Sequence, residues 1–168
     1  MKNVINILNE IKDRGLIKDY ALGGAIAALR WVEPFFTRDL DVFIILSDKE
    51  EKGLIVLTPV YEYLRNKGYD KWIGQWLVIE GIPVEFIPAE GLSREALENA
   101  AEVEYEGAVT RVMKPEYLIA LFLKASRQKD KIKVQMLLEQ ARVDIAALKD
   151  ILNRYGLTER FKPFEKNE

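Results

Sequence analysis

The stretch GGAIAALRWVEPFFTRDLDVFI, residues 23–44, decides how this chain is read. It carries two carboxylates one residue apart, Asp39 and Asp41, placed fifteen and seventeen positions after Gly24. Side chains of an extended strand alternate faces at about 3.3 Å per residue, so Asp39 and Asp41 point the same way roughly 6–7 Å apart. Carboxylates at that separation can share divalent ions, and two-metal sites hold their ions about 3.5–4 Å apart. Leu40, Val42 and Ile44 fall on the opposite, apolar face. Upstream, Gly23-Gly24 supplies a tight turn whose bare backbone can approach phosphates. A metal clamp beside a phosphate turn points to chemistry on a nucleotide.

Working outward, composition narrows the options. At 168 residues, with 49% hydrophobic and 31% charged residues, the chain has the balance of a soluble globular protein with one core. It shows no apolar run near eighteen residues and no leader pattern, which sets a cytoplasmic expectation without a membrane partner. Cysteine and histidine are both absent. That excludes disulfides, Ser-His-Asp and Cys-His catalysis within the chain, and His/Cys zinc sites. Bases and metal ligands must then be chiefly Asp or Glu, which suit Mg²⁺ or Mn²⁺. Net charge is −2, but unevenly spread. Glu80–Glu106 holds eight acids against Arg94 alone, whereas Arg111–Lys162 holds twelve Lys/Arg against six Asp/Glu. Such asymmetry suits a polyanion or triphosphate, and equally fits solvated helix faces.

Periodicity predicts a helix over Met1–Arg14 with Gly15 as its stop, then a short strand at Tyr20–Leu22. A helix over Ala25–Val32 follows, and Arg38–Leu46 is the firmest strand. Asp48 would cap another helix interrupted by Gly53 and Pro59. Trp72–Glu80 and Ile82–Pro88 flank Gly81 as a hairpin. Ser93 would cap a helix to Ala101, and Val103–Tyr105 would pair with Ala108–Met113. Helices at Pro115–Gln128, Lys131–Gln140 and Asp144–Tyr155 complete the chain, the last capped by Asp144 and stopped by Gly156, with a frayed tail after Phe161. The expected architecture is α/β (α+β): a mixed sheet flanked by helices over residues 1–113, with a helical annex at 114–168 packed on it.

Asp-x-Asp alone is common in solvated loops and helix caps. Here it opens a strand that otherwise reads as buried, where a charge is costly unless paired or metal-bound. Glu85 repeats the pattern in IPVEFIPA, facing away from Val84 and Phe86. If the two strands are neighbours, three carboxylates converge. By itself Glu85 also fits an exposed edge-strand face.

Gly23-Gly24, Asp39-Leu40-Asp41 and the strand-borne Glu85 together resemble the signature of the polymerase-β-like nucleotidyltransferase superfamily. That signature covers about residues 19–87. The run from Thr37 to Asp41, with Pro115, Leu118, Lys124, Arg127 and Lys129-Asp130, is similar to the minimal nucleotidyltransferases of the abortive-infection type IV toxin–antitoxin class. The resemblance implies a nucleotidyltransferase-type fold and transfer of NMP from an NTP such as ATP to a hydroxyl. The acceptor would be RNA or tRNA, a protein or a small molecule, and an antitoxin is among the partners this class implies. Asp39, Asp41 and Glu85 would hold Mg²⁺ or Mn²⁺, with Glu85 also activating the hydroxyl. Gly23, Gly24, Thr37, Arg38, Lys124 and Arg127 would contact the nucleotide, Lys124 and Arg127 sharing a helix stripe with Lys131. A solvated stripe is the other reading of those three cations. The chain departs from the pattern at Gly24, where many members have Ser and where small size is the expected need. Its third carboxylate is Glu, one methylene longer than the usual Asp, and the Arg-Asp of the CCA-adding branch is missing. Trp31, Trp72 and Trp76 fit packing better than base stacking. The competing functional class is a catalytically silent nucleotide-binding or regulatory module of the same fold.

Overall fold

The computed structural model describes residues 1–47 and 57–165, so the expected Asp48 cap and Gly53 break lie outside the described residues. The chain starts with α1 (Lys2–Asp13), which buries Val4, Ile5, Ile7, Leu8 and Ile11. Its stop is a Schellman motif: Gly15 takes φ +70, its N–H donates to Lys12, and the Leu16 N–H donates to Ile11. There follow β1 (Ile17–Gly23), α2 (Gly24–Ala28), β2 (Leu40–Leu46), α3 (Thr58–Asn66), β3 (Trp72–Ile73), β4 (Trp76–Ile79) and β5 (Ile82–Pro88). Then come α4 (Leu92–Glu98), β6 (Ala101–Tyr105), β7 (Ala108–Val112), α5 (Pro115–Ala125), α6 (Gln128–Gln140), α7 (Ile145–Arg154) and α8 (Thr158–Phe161).

The strands form one seven-stranded mixed sheet in the order β3-β4-β5-β2-β1-β7-β6. At its centre β2 runs antiparallel to β1 and parallel to β5. Leu40, Val42 and Ile44 are fully buried on one face of β2, while Asp41, Phe43 and Ile45 are half-buried on the other. Burying side chains of this size contributes about 1.5–3 kcal/mol each, and a slip of one residue would turn all of them to the wrong face. The register is therefore strongly determined. A single apolar cluster joins Leu40, Val42 and Ile44 to Leu118, Leu137 and Leu148, so the C-terminal helices share the core of the sheet. The division proposed from the sequence, after residue 113, falls between β7 and α5. Among the described residues no helix is long and apolar enough to cross a membrane.

Several expectations are corrected. The helix after the glycine pair ends at Ala28, and the chain turns through Leu29–Trp31, where the Trp31 indole N–H donates to the Met113 carbonyl at 3.0 Å. Pro59 sits in the first turn of α3, and the part of the expected helix ahead of it lies outside the described residues. Trp72–Glu80 is split by a turn at Gly74, which takes φ +60, into β3 and β4. Gly91, not Ser93, is the N-cap residue of α4. The tail does not fray at Phe161, because Lys162–Phe164 form a 3-10 turn whose Phe164 ring stacks on Phe161. Most consequentially, the helix expected over Pro115–Gln128 stops at Ala125. Ser126 adopts the left-handed conformation at φ +57, ψ +26, and Arg127 is extended and begins α6.

Candidate active site

The strand pairing brings the sequence's carboxylates together. Asp41 and Glu85 are directly paired positions in the parallel β2–β5 ladder, on strands about 4.8 Å apart. In the β1–β2 ladder Gly23 is opposite Asp41, so the glycine turn borders the same carboxylate. Asp39 lies one residue before β2 and keeps the alternation. All three acids line one cavity of about 520 Å³.

Gly24 is held closer to the site than small size alone explains. It takes φ +61, and a Cβ built there would meet Asp41 Oδ2 at 1.9 Å. The position where a Ser was expected to be interchangeable accepts only glycine in this conformation. Gly23 is equally confined, since a Cβ there would lie 2.4 Å from the Phe43 ring.

Asp41 is the electrostatically loaded member. Burial first, then the negative charges of Asp39 and Glu85, push its carboxyl up from 3.8 to about 6, while Arg127 and Lys129 pull the other way. A buried carboxylate facing two others favours any cation that enters. Glu85 accepts a hydrogen bond from the Gln75 amide at 3.3 Å. Among the described residues no three acidic side chains are drawn into a ready-made metal cluster.

The opposite wall is cationic. Arg127, Lys129 and Lys133 line the cavity together with Thr37 and Arg38 from the loop ahead of β2. Arg127 donates two hydrogen bonds, at 2.7 and 3.3 Å, to Asp130, which is 1% exposed and also meets Lys133 at 3.4 Å. That buried carboxylate holds both cations at the start of α6. Lys124 is exposed and outside the cavity lining, and its carbonyl accepts from Arg160 at 2.7 Å. The helix stripe expected for Lys124, Arg127 and Lys131 does not exist, because the chain turns at Ser126.

Sequence reasoning quoted Lys129 in the resemblance without giving it a site role, and missed Lys133, Gln75 and the loop aromatics Phe35 and Phe36, all of which line the cavity. Lys129 and Lys133 are spaced i, i+4, a signal that emerges once α6 starts at Gln128. Gln75 sits in the turn between β3 and β4 and has no sequence signal of its own. Of the tryptophans, Trp31 packs, Trp72 tilts against Tyr61 with centroids 5.2 Å apart, and Trp76 lines the cavity.

No protein-family model matches the chain, and no curated protein matches it in sequence. Solved structures do match. An antigenic nucleotidyltransferase-like protein from Paracoccidioides brasiliensis is similar with a TM-score of 0.59 and 17% identity, covering 96% of this chain and 91% of that one. The antibiotic-resistance factor ANT(2'')-Ia is similar with a TM-score of 0.50 and 14% identity, covering 98% and 100%. With a seven-stranded mixed sheet flanked by helices, this chain has a nucleotidyltransferase-type fold.

Proposed function

We propose that the chain is a metal-dependent nucleotidyltransferase that moves an NMP from an NTP to a hydroxyl acceptor. The supporting observation is the direct pairing of Asp41 with Glu85, with Asp39 beside them and a cationic wall lining the same cavity. An all-oxygen donor set fits Mg²⁺ or Mn²⁺. Mg²⁺ keeps waters and takes substrate phosphates as further ligands, so it needs only one or two protein carboxylates. When bound, such ions would neutralise charge on the triphosphate and polarise its α-phosphate.

The chain's own groups supply the rest. Asp39, Asp41 and Glu85 would hold the ions, and Arg38, Arg127, Lys129 and Lys133 would meet phosphate oxygens. Bare Gly24 leaves the approach to Asp41 unobstructed. The acceptor oxygen forms a bond to the α-phosphorus as the bond from that phosphorus to the bridging oxygen of the leaving pyrophosphate breaks. The electron pair leaves with pyrophosphate, and the hydroxyl proton passes to Glu85, which the Gln75 amide orients.

Incubation with each labelled NTP, Mg²⁺ or Mn²⁺, and mixed cellular RNA and protein tests this reading. The labelled species names the nucleotide and the acceptor together, whether RNA, protein or a small molecule. Asp41→Asn should lower transfer by at least about a thousandfold while leaving the fold intact, and unchanged transfer refutes the assignment. The second reading is a silent nucleotide-binding module of the same fold. That reading prevails if NTP and metal bind but no acceptor yields pyrophosphate. A toxin-like role countered by an antitoxin belongs to the same proposal. It requires growth arrest on expression that Asp41→Asn abolishes.

A further inference from the structure

The loop between α2 and β2 carries a side chain that neither the core nor the proposed chemistry employs. Phe36 is 80% exposed, yet it lines the cavity that holds the carboxylates. A ring left in water forgoes about 1.5–3 kcal/mol of burial. Its neighbour Arg38 places its guanidinium 5.2 Å from the ring centroid, a cation–π contact that sets the two side chains against each other. On α6, Ile132 is 65% exposed and lines the same cavity. Arg127, Lys129 and Lys133 supply its positive charge.

An exposed ring beside a group of cations matches a ligand with a flat π face and a polyanionic tail. We infer that Phe36 is the platform on which the base of the nucleoside triphosphate stacks, with Ile132 as its apolar counterpart. The inference rests on the nucleotide reading above and adds the determinant of base choice. Phe36 and Ile132 offer no hydrogen-bonding groups, so base preference follows stacking area. Purine nucleotides are favoured over pyrimidine nucleotides, and adenine and guanine are barely distinguished. Arg38 then serves two ends of one ligand, holding the ring and meeting the phosphates.

The test is calorimetric binding of ATP, CTP and inorganic tripolyphosphate, each with Mg²⁺, to the full chain and to F36A and F36W. The exposed position keeps both variants folded. F36A should weaken ATP roughly ten- to a hundredfold while changing tripolyphosphate less than about twofold, and F36W should hold ATP within a few-fold of the parent chain. ATP affinity unchanged in F36A overturns the inference. So does an equal loss for ATP and tripolyphosphate. If the parent chain binds neither compound, the nucleotide reading itself fails and the inference falls with it. ATP binding that survives F36A removes the platform alone.

Discussion

Two segments were read from the sequence as parts of one site, and they behaved differently. On β2 and β5, strand alternation placed Asp41 and Glu85 on one face, and the ladder pairs them. At the α5–α6 junction, helical spacing placed Lys124, Arg127 and Lys131 on one stripe, and Ser126 breaks the helix that would carry it. The strands held because Leu40, Val42, Val84 and Phe86 are buried on the reverse face, so no register slip is tolerated. The three cations of the stripe are each exposed, so no burial along it fixed them to one helix. A pattern anchored by burial is reliable, and a pattern made only of exposed charges is not.

This contrast can be broken at the strand end first. In metal-free buffer, Asp41→Asn should stabilise the protein by up to about 3 kcal/mol above pH 6, because the shift from 3.8 to about 6 makes ionised Asp41 a cost to folding. The sign follows from the direction of the shift. Below about pH 4 Asp41 is protonated whether folded or unfolded and carries no penalty. The penalty grows as pH rises between 4 and 6, and is complete above that range. Urea denaturation of both proteins across pH 4–8 measures it, and a gap that does not grow with pH would show that Asp41 is not burdened by its burial beside Asp39 and Glu85.

Gly24→Ala should destabilise by roughly 1–3 kcal/mol and reduce transfer sharply, since it combines a positive φ with a Cβ 1.9 Å from Asp41 Oδ2. Denaturation and transfer assays run together would separate backbone strain from damage to the site. The same substitution at Gly81, at φ +78 with nothing within 4 Å, should cost only the backbone part and leave transfer unchanged.

At the junction, Asp130→Ala should cost about 2 kcal/mol, discounted because Arg127 is 56% exposed, and should weaken nucleotide binding as Arg127 and Lys133 lose their common anchor. Thermal melts and calorimetry read the two effects. Lys124→Ala is the smallest change expected, within about 0.5 kcal/mol in stability and twofold in NTP affinity. A large loss there would restore the stripe that the structure divides.

Most of the fold was legible where local chemistry is strong. Gly15, Gly156 and the Asp144 cap, which accepts the Ala147 N–H at 3.0 Å, mark helix ends that the sequence alone located. The hairpin at Glu80-Gly81 follows from two adjacent residues at positive φ. Of the site, the carboxylates and the glycine pair were visible because alternation and turn chemistry are local properties. Gln75, Lys133 and Phe36 were not, because each sits in a turn, helix or loop whose place beside the carboxylates depends on segments distant in the chain. No local pattern announces the left-handed Ser126, since serine gains nothing intrinsic from φ +57.

The sequence by itself limited the candidate catalytic and metal-binding groups chiefly to carboxylates, and determined which face of each strand bears them and that a small-residue turn precedes them. Tertiary structure alone decided that Asp41 meets Glu85 in register, that Gly24 lies against Asp41 with no room for a Cβ, and that the Asp130 joining Arg127 and Lys133 is buried while Lys124 stays outside the cavity lining. Alternation, capping and turn preference act within a few residues of the chain. Register, helix termination and charge convergence follow from burying one apolar core drawn from distant segments, and only the folded chain specifies that core.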